Sequence, residues 1–258
     1  MAIRVGIVGV GYGQAVLVPA FRLDPRFEVA ALSASRPGKA REVADRLGVA
    51  EAHDGWEPLV TDPSLDVVAV AVPPLHQPDV ACAAVLAGKH LFLEKPLAVD
   101  LAGARRILVA LESGAGAGPV ATVVDFEFAA LPAFRRLRER VLAEGGARRI
   151  DAVWHVRTYA NEKRLITWKT DPGQGGGALL SFASHALHYL EWLAGPATRI
   201  HAVLGKADDD PRPGETRAVI ELDFASVASA RLDLDTDSDH GPLHALALRT
   251  RSSLYHLR

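Results

Sequence analysis

The chain has 258 residues, 49% of them hydrophobic and 23% charged, with a formal net charge of −2. That supports a sizeable core and excludes disorder, and with no basic face it points away from nucleic acid and membrane surfaces. The single cysteine, Cys82, excludes an internal disulfide and a Cys-rich metal site. Cys82 sits in the apolar run VACAAVLAG and reads as a buried structural thiol. No stretch has the apolar length of a membrane span, and the start, MAIRVGIVGVG, lacks a signal-peptide layout, so the expected location is cytoplasmic.

In chain order, residues 3–8 form a short β-branched run expected to be a buried strand, and glycines follow at once. Residues 15–23 read as a helix, kinked or started late by Pro19. Residues 27–32 are a second strand, and residues 38–47 a helix closed by Gly48. A third strand (66–72) stops at Pro73-Pro74, a helix (78–87) ends at Gly88, and a fourth strand covers 90–94. Asp100 caps a helix running to residue 112, SGAGAGP (113–119) is a turn, and residues 120–126 are another strand. Strands and helices alternating at this rhythm imply a parallel sheet with right-handed crossovers.

The rhythm then changes. A helix (132–144), an alternating strand (150–159), an irregular glycine-rich stretch (161–177) and an apolar helix (178–193) ending at Gly195 come first. Four short strands follow at 200–204, 217–224, 228–234 and 243–248, with no room for crossover helices, so this sheet is largely antiparallel. The expected fold class is α/β. A Rossmann-type parallel sheet is expected over 1–122, and an α+β domain with a mainly antiparallel sheet over 123–258.

Gly9-Val10-Gly11-Tyr12-Gly13-Gln14 lies after a strand and before a helix, where a dinucleotide site needs it. Gly9 allows the tight turn, and Gly11 lets the backbone approach a pyrophosphate at the helix N-terminus. The third glycine of the fingerprint falls on Gln14, with Gly13 in partial compensation. At the end of the second strand, Leu32-Ser33-Ala34-Ser35-Arg36 carries no acidic residue to hold a ribose 2′-hydroxyl. Ser35 and Arg36 suit a 2′-phosphate instead, with Ser33 a further cofactor-binding candidate, so NADP is expected over NAD.

GVGYG, VPPLHQP (72–78) and EKPLA (94–98) together resemble the Gfo/Idh/MocA oxidoreductases, as does GGGALLSFASHALHYLEWLAG (175–195). The resemblance spans almost the whole chain. It implies hydride transfer between NAD(P) and an alcohol or ketone, often on a sugar or cyclitol. It also implies a homo-oligomer, dimer or tetramer, formed through the open sheet. By the same resemblance Lys95 stands near the nicotinamide and the reacting oxygen, where an ammonium polarises a carbonyl. Glu94 and Pro96 flank it, and Pro73 and His76 line the cofactor edge. His185 exchanges the hydroxyl proton.

Two departures stand out. Where the family carries aspartates four residues before and three after the histidine, this chain has Ser181 and His188, which share a helix face with His185. His185 thereby loses an orienting carboxylate, while Ser181 and His188 remain candidates for the substrate. His185 and His188 are spaced to share a metal, but no third ligand accompanies them, so no metal is expected. The chain also stops at residue 258, before the family's usual last strand and returning helix. Apolar residues Val219, Leu222, Ala228 and Leu232 are then expected on a sheet face that a partner chain covers.

The expected function is NADP-dependent hydride exchange on a small polar substrate such as a sugar or cyclitol. Trp168 and the cations Lys163, Arg164 and Lys169 contribute to its pocket. The alternative is a cofactor-binding relative repurposed as a lyase, isomerase, cyclase or regulatory binding protein.

Overall fold

Strand β1, Ile3–Val8, is buried over its last four residues, and the first unit is organised around it. Residues 1–113 and 118–258 are described in this computed structural model, which divides into two compact units, Met1–Asp125 and Phe126–Arg258. In the first, β2 (Phe27–Ala34), β3 (Glu51–Asp54), β4 (Val67–Val70), β5 (His90–Leu93) and β6 (Thr122–Val124) join β1 in one sheet. Its order is β3-β2-β1-β4-β5-β6 and every pairing is parallel. Parallel pairing forces crossovers, here made by α1 (Val18–Arg22), α2 (Lys39–Leu47), α3 (Glu57–Thr61), α4 (Gln77–Leu86) and α5 (Leu101–Glu112). The strand order reverses between β1 and β4, so the crevice outside their carboxyl ends is where such a sheet binds ligands.

Local chemistry sets the helix ends. Gly48 closes α2 with φ 64° and donates to Ala44 and Asp45, a left-handed cap that a side chain would strain. Asp100 accepts from the Gly103 N–H at 2.8 Å and starts α5. Ahead of α1 the chain is π-wound over Gly13–Leu17. Pro19 lies just past this π-wound turn, inside a helical run that is continuous from Gly13 to Arg22, so the residue without an N–H sits where the winding changes. Strand β3 and helix α3 were not anticipated. EAHD is short and polar, and only its pairing with β2 makes it a strand. Cys82 on α4 is half-buried rather than buried. The turn expected over 113–119 falls largely on residues outside the described set.

In the second unit, β7 (Arg149–His155), β8 (Ala197–Gly205), β9 (Arg217–Phe224), β10 (Ser229–Asp235), β11 (Leu243–Arg249) and β12 (Leu254–Leu257) form a sheet ordered β12-β11-β7-β10-β9-β8. Only β7 and β10 pair in parallel. One face packs on α6 (Pro132–Ala143) and α8 (Ser184–Ala194), which the one-turn α7 (Tyr159–Glu162) separates in sequence; there Ile150, Ile220, Leu232 and Leu248 meet Phe134, Val141, Tyr189 and Leu190. The expected open apolar face is corrected here. Leu222, Ala228 and Leu232 are 3%, 4% and 0% exposed and belong to this helix-covered core. Val219 and Leu222 are three apart, and residues an odd number apart on a strand point to opposite faces. The other face is charged: Arg231 lies opposite Glu221 and pairs with it at 2.9 Å, and Arg217 pairs with the facing Asp235 at 3.1 Å.

Candidate functional site

In the first unit, the residues singled out above lie at the carboxyl ends of neighbouring parallel strands. Gly9 has φ 102° and donates its N–H to Ser33 O at 3.0 Å. A Cβ there would stand 2.4 Å from Ala71 O, so only glycine fits where the turn squeezes past the end of β4. Beyond it, a Cβ on Gly11 would meet nothing within 4 Å. Gly13 packs against β1, its Cβ position 2.9 Å from Ile7 Cγ2. The close helix–strand packing expected of a glycine at position 14 is therefore made by Gly13. Gln14 is engaged by Arg46 of α2, and Tyr12 is exposed. Ser33 is buried and its Oγ has no hydrogen-bond partner among the described residues. Ser35 and Arg36 are exposed just past it, Arg36 reaching Glu42 at 3.8 Å. Open space over Gly11 and an unsatisfied hydroxyl at Ser33 fit a nucleotide cofactor laid across the turn.

At the end of β5, Glu94, Lys95 and Pro96 are partly buried, and the Lys95–Pro96 peptide is cis. Register places Glu94 beside Asp125, since β5 and β6 pair through Leu93 and Val124. Burial, then the Asp125 charge and hydrogen bond, push the Glu94 carboxyl up to about 8. Pro73 accepts from the His76 N–H at 2.9 Å, and His76 itself is exposed at the start of α4. Its neighbour Gln77 is buried and donates from Nε2 to Pro96 O at 2.7 Å, fixing the turn that carries Lys95. Gln77 was not singled out from the sequence, although it stands inside the VPPLHQP segment.

In the second unit, His185 and His188 lie on α8 and both meet Phe126. The Phe126 ring stacks on His188 at 4.3 Å and 8°, and meets His185 edge-on at 5.9 Å and 88°. Phe128 and Trp154 also contact His185, at 5.5 and 6.0 Å between centroids. His185 Nδ1 is 3.1 Å from Glu127 Oε2, an ion-pair distance, with the carboxylate off the line of a well-formed hydrogen bond. Burial lowers the His188 pKa, and neighbouring His185 lowers it further. Burial brings His244 down to about 4, and its Nε2 shares a 3.2 Å hydrogen bond with Tyr189 Oη. Ser181 lies on a π-wound turn, Leu179–Ala183, so its spacing to His185 crosses a change of winding. Trp168 is partly buried at the head of the 3-10 turn Trp168–Thr170, with Lys169 Nζ 5.6 Å from its ring centroid. Neither Glu127 nor His244 was anticipated.

Among the described residues no cluster of three or more His, Cys, Asp or Glu is placed to hold a metal ion, and no helix is long and apolar enough to cross a membrane.

Residues 3–116 match the family model for the Gfo/Idh/MocA oxidoreductase family, NAD-binding Rossmann fold, and residues 134–252 match a Gfo/Idh/MocA C-terminal domain. An uncharacterized oxidoreductase of Synechocystis is 31% identical over 95% of this chain and 69% of its own length. The chain belongs to the Gfo/Idh/MocA oxidoreductase family. Other relatives include levoglucosan dehydrogenase of Pseudarthrobacter phenanthrenivorans, 27% identical over 78% of this chain and 54% of its own length. D-xylose 1-dehydrogenase (NADP(+)) 2 of Haloferax volcanii is 27% identical over 90% of this chain and 69% of its own. The chain thus spans from about half to about two-thirds of these Gfo/Idh/MocA relatives. A levoglucosan dehydrogenase solved with NADH shares the fold with a TM-score of 0.87 at 20% identity, covering 99% of this chain and 73% of the other.

Proposed function

We propose that this chain is an NADP-dependent oxidoreductase that exchanges a hydride with a carbonyl or hydroxyl group of a small polar substrate, a sugar, cyclitol or related compound. The carrying observation is the placement of Lys95. It follows β5 on the same strand-end edge as the glycine turn after β1, in a segment tied down by Gln77. The first unit takes the cofactor and the second the substrate. Bound nicotinamide supplies or accepts the hydride. Lys95 presents an ammonium that stabilises negative charge on the reacting oxygen, and its turn is held against drift by the Pro96 contact. His185 exchanges the hydroxyl proton, and Trp168, Ser181 and His188 bind substrate groups.

Selectivity for NADP rests on Ser35 and Arg36, exposed past β2 in a segment (32–36) that carries no acidic residue, with Glu42 3.8 Å from the Arg36 guanidinium. Titration calorimetry tests it. NADP+ is expected to bind more tightly than NAD+, and Arg36→Ala to weaken NADP+ about tenfold while leaving NAD+ unchanged; tighter NAD+ binding in the unaltered chain refutes the assignment. The relatives that act on D-xylose and levoglucosan support sugar-like substrates. Self-association is also proposed, now through β8, where Ile200 and Val203 are 54% and 60% exposed. A monomer by light scattering at micromolar concentration contradicts it.

A further inference from the structure

We infer that Glu127 is the carboxylate that positions His185. Glu127 opens a 3-10 turn, Glu127–Ala130, and its two chain neighbours are Phe126 and Phe128. Both of those rings pack edge-on against the His185 imidazole. The backbone on either side of Glu127 is therefore docked onto the residue that its carboxylate reaches. Phe128 is itself held by Phe134, Trp154, Tyr189 and His244, at 5.0 to 5.4 Å between centroids. The turn is thus part of the aromatic core, and Glu127 projects from a rigid support.

The two partners differ in exposure in the way the role requires. The His185 side chain is 7% exposed and that of Glu127 is 48%. The carboxylate stays open to water, while the imidazole, enclosed by rings, needs a partner for its N–H. The other titratable groups facing this cluster are His188 on the same helix, His244 on β11 and Tyr189 on α8. Burial favours the neutral form of all three. They contribute uncharged rings to the cluster around His185, and Glu127 contributes its carboxylate.

An anion at Nδ1 selects the imidazole tautomer that carries its proton on Nδ1 and leaves the Nε2 lone pair free. Nε2 then takes the proton released by a substrate hydroxyl, and in the opposite direction returns it to the oxygen of a carbonyl. The Nδ1 proton stays on the Glu127 side throughout. The contact at 3.1 Å is not yet aligned, as is common before substrate is bound. Glu127 is thus a positioning residue that acts through His185. It occupies the role left empty by Ser181 on the helix itself. The inference rests on the proposed proton exchange at His185.

Long-range 15N–1H NMR of the imidazoles in the full chain tests it without a substrate. In the unaltered chain His185 is expected as the Nδ1–H tautomer. In Glu127→Ala it is expected to move to a mixture or to the Nε2–H form, and in Glu127→Asp to keep the original tautomer in part. Glu127→Gln serves as the near-isosteric control that retains the packing of the turn. An unchanged His185 tautomer in both Glu127→Ala and Glu127→Gln overturns the inference. Turnover supplies the second readout, with NADP+ and D-xylose, levoglucosan or myo-inositol as probes. Glu127→Ala is expected to lower kcat by about 10- to 100-fold, part of the 10²–10⁴ that a positioned base contributes, with NADP+ affinity unchanged and partial recovery in Glu127→Asp. Equal loss in Glu127→Ala and Glu127→Asp contradicts a positioning role. Full turnover in His185→Asn instead overturns the proposed proton exchange while the tautomer result stands by itself.

Discussion

Three glycines in one turn, each in different surroundings, predict three distinct alanine phenotypes. Gly9→Ala places a methyl 2.4 Å from Ala71 O at φ 102°. The strained dihedral costs about 1–3 kcal/mol, and the collision, which is with backbone and cannot be relieved by a rotamer change, adds about 1–3 kcal/mol. The expected destabilisation is about 2–6 kcal/mol, the sum of those two costs. Gly13→Ala places a methyl 2.9 Å from Ile7 Cγ2, the end of a side chain that can shift. Its overpacking of about 1–3 kcal/mol is offset by about 1 kcal/mol gained from replacing a helical glycine, so the net loss is about 0–2 kcal/mol. Gly11→Ala meets nothing and has no positive φ to violate. It should fold as well as the parent, or better by about 0.4–1 kcal/mol. Its defect is in binding, because the methyl occupies the space through which the backbone approaches a pyrophosphate. A loss of about tenfold or more in NADP+ affinity, about 1.4 kcal/mol, is expected. Urea unfolding followed by circular dichroism gives the stabilities, and titration calorimetry the affinities. The reasoning is refuted if Gly11→Ala binds NADP+ like the parent, or if it unfolds as early as Gly9→Ala.

Arg212 is 1% exposed, and its guanidinium joins Asp210, Asp237 and Asn161, with the Nη1 contact to Asn161 Oδ1 at 2.7 Å. Arg212→Met keeps much of the volume but strands two carboxylates, and a loss of about 3–5 kcal/mol in urea unfolding is expected; a loss below about 1 kcal/mol would show the network to be dispensable. Glu94 titrates near 8 in the folded unit, because of burial and the Asp125 carboxylate, against 4.5 for an ordinary glutamate. The folded state therefore holds a proton that the unfolded chain releases. Its stabilisation is complete below pH 4.5 and is lost as pH rises to about 8. Glu94→Gln is expected to flatten the fall in stability between those limits, and an unchanged pH slope would count against the burial of this carboxyl.

Much of the first unit is written locally. The β-branched run of β1, the Gly48 cap of α2 and the Asp100 cap of α5 are each decided within a few residues. The strand β3 is not, because EAHD gains its conformation from β2 beside it. The covered face of the second sheet was misjudged for a related reason. Alternation separates Val219 from Leu222, but only the position of α8 says which of the two faces is buried. At the candidate site, the glycines and Lys95 announce themselves through strand-turn context. Glu127 does not: its link to His185 joins distant parts of the chain through aromatic packing, and no motif spacing encodes it. The absence of a carboxylate at Ser181 carries less weight against proton exchange at His185 once Glu127 stands at the imidazole.

The most direct test of the proposed chemistry is the absorbance of reduced nicotinamide during turnover of NADP+ with a panel of D-xylose, levoglucosan and myo-inositol, run on the parent and on Lys95→Met. The account predicts turnover by the parent with at least one of these probes. It also predicts a fall of about 10²-fold or more in Lys95→Met, with NADP+ affinity unchanged by calorimetry. Undiminished turnover in Lys95→Met, with the cofactor bound as before, would contradict it.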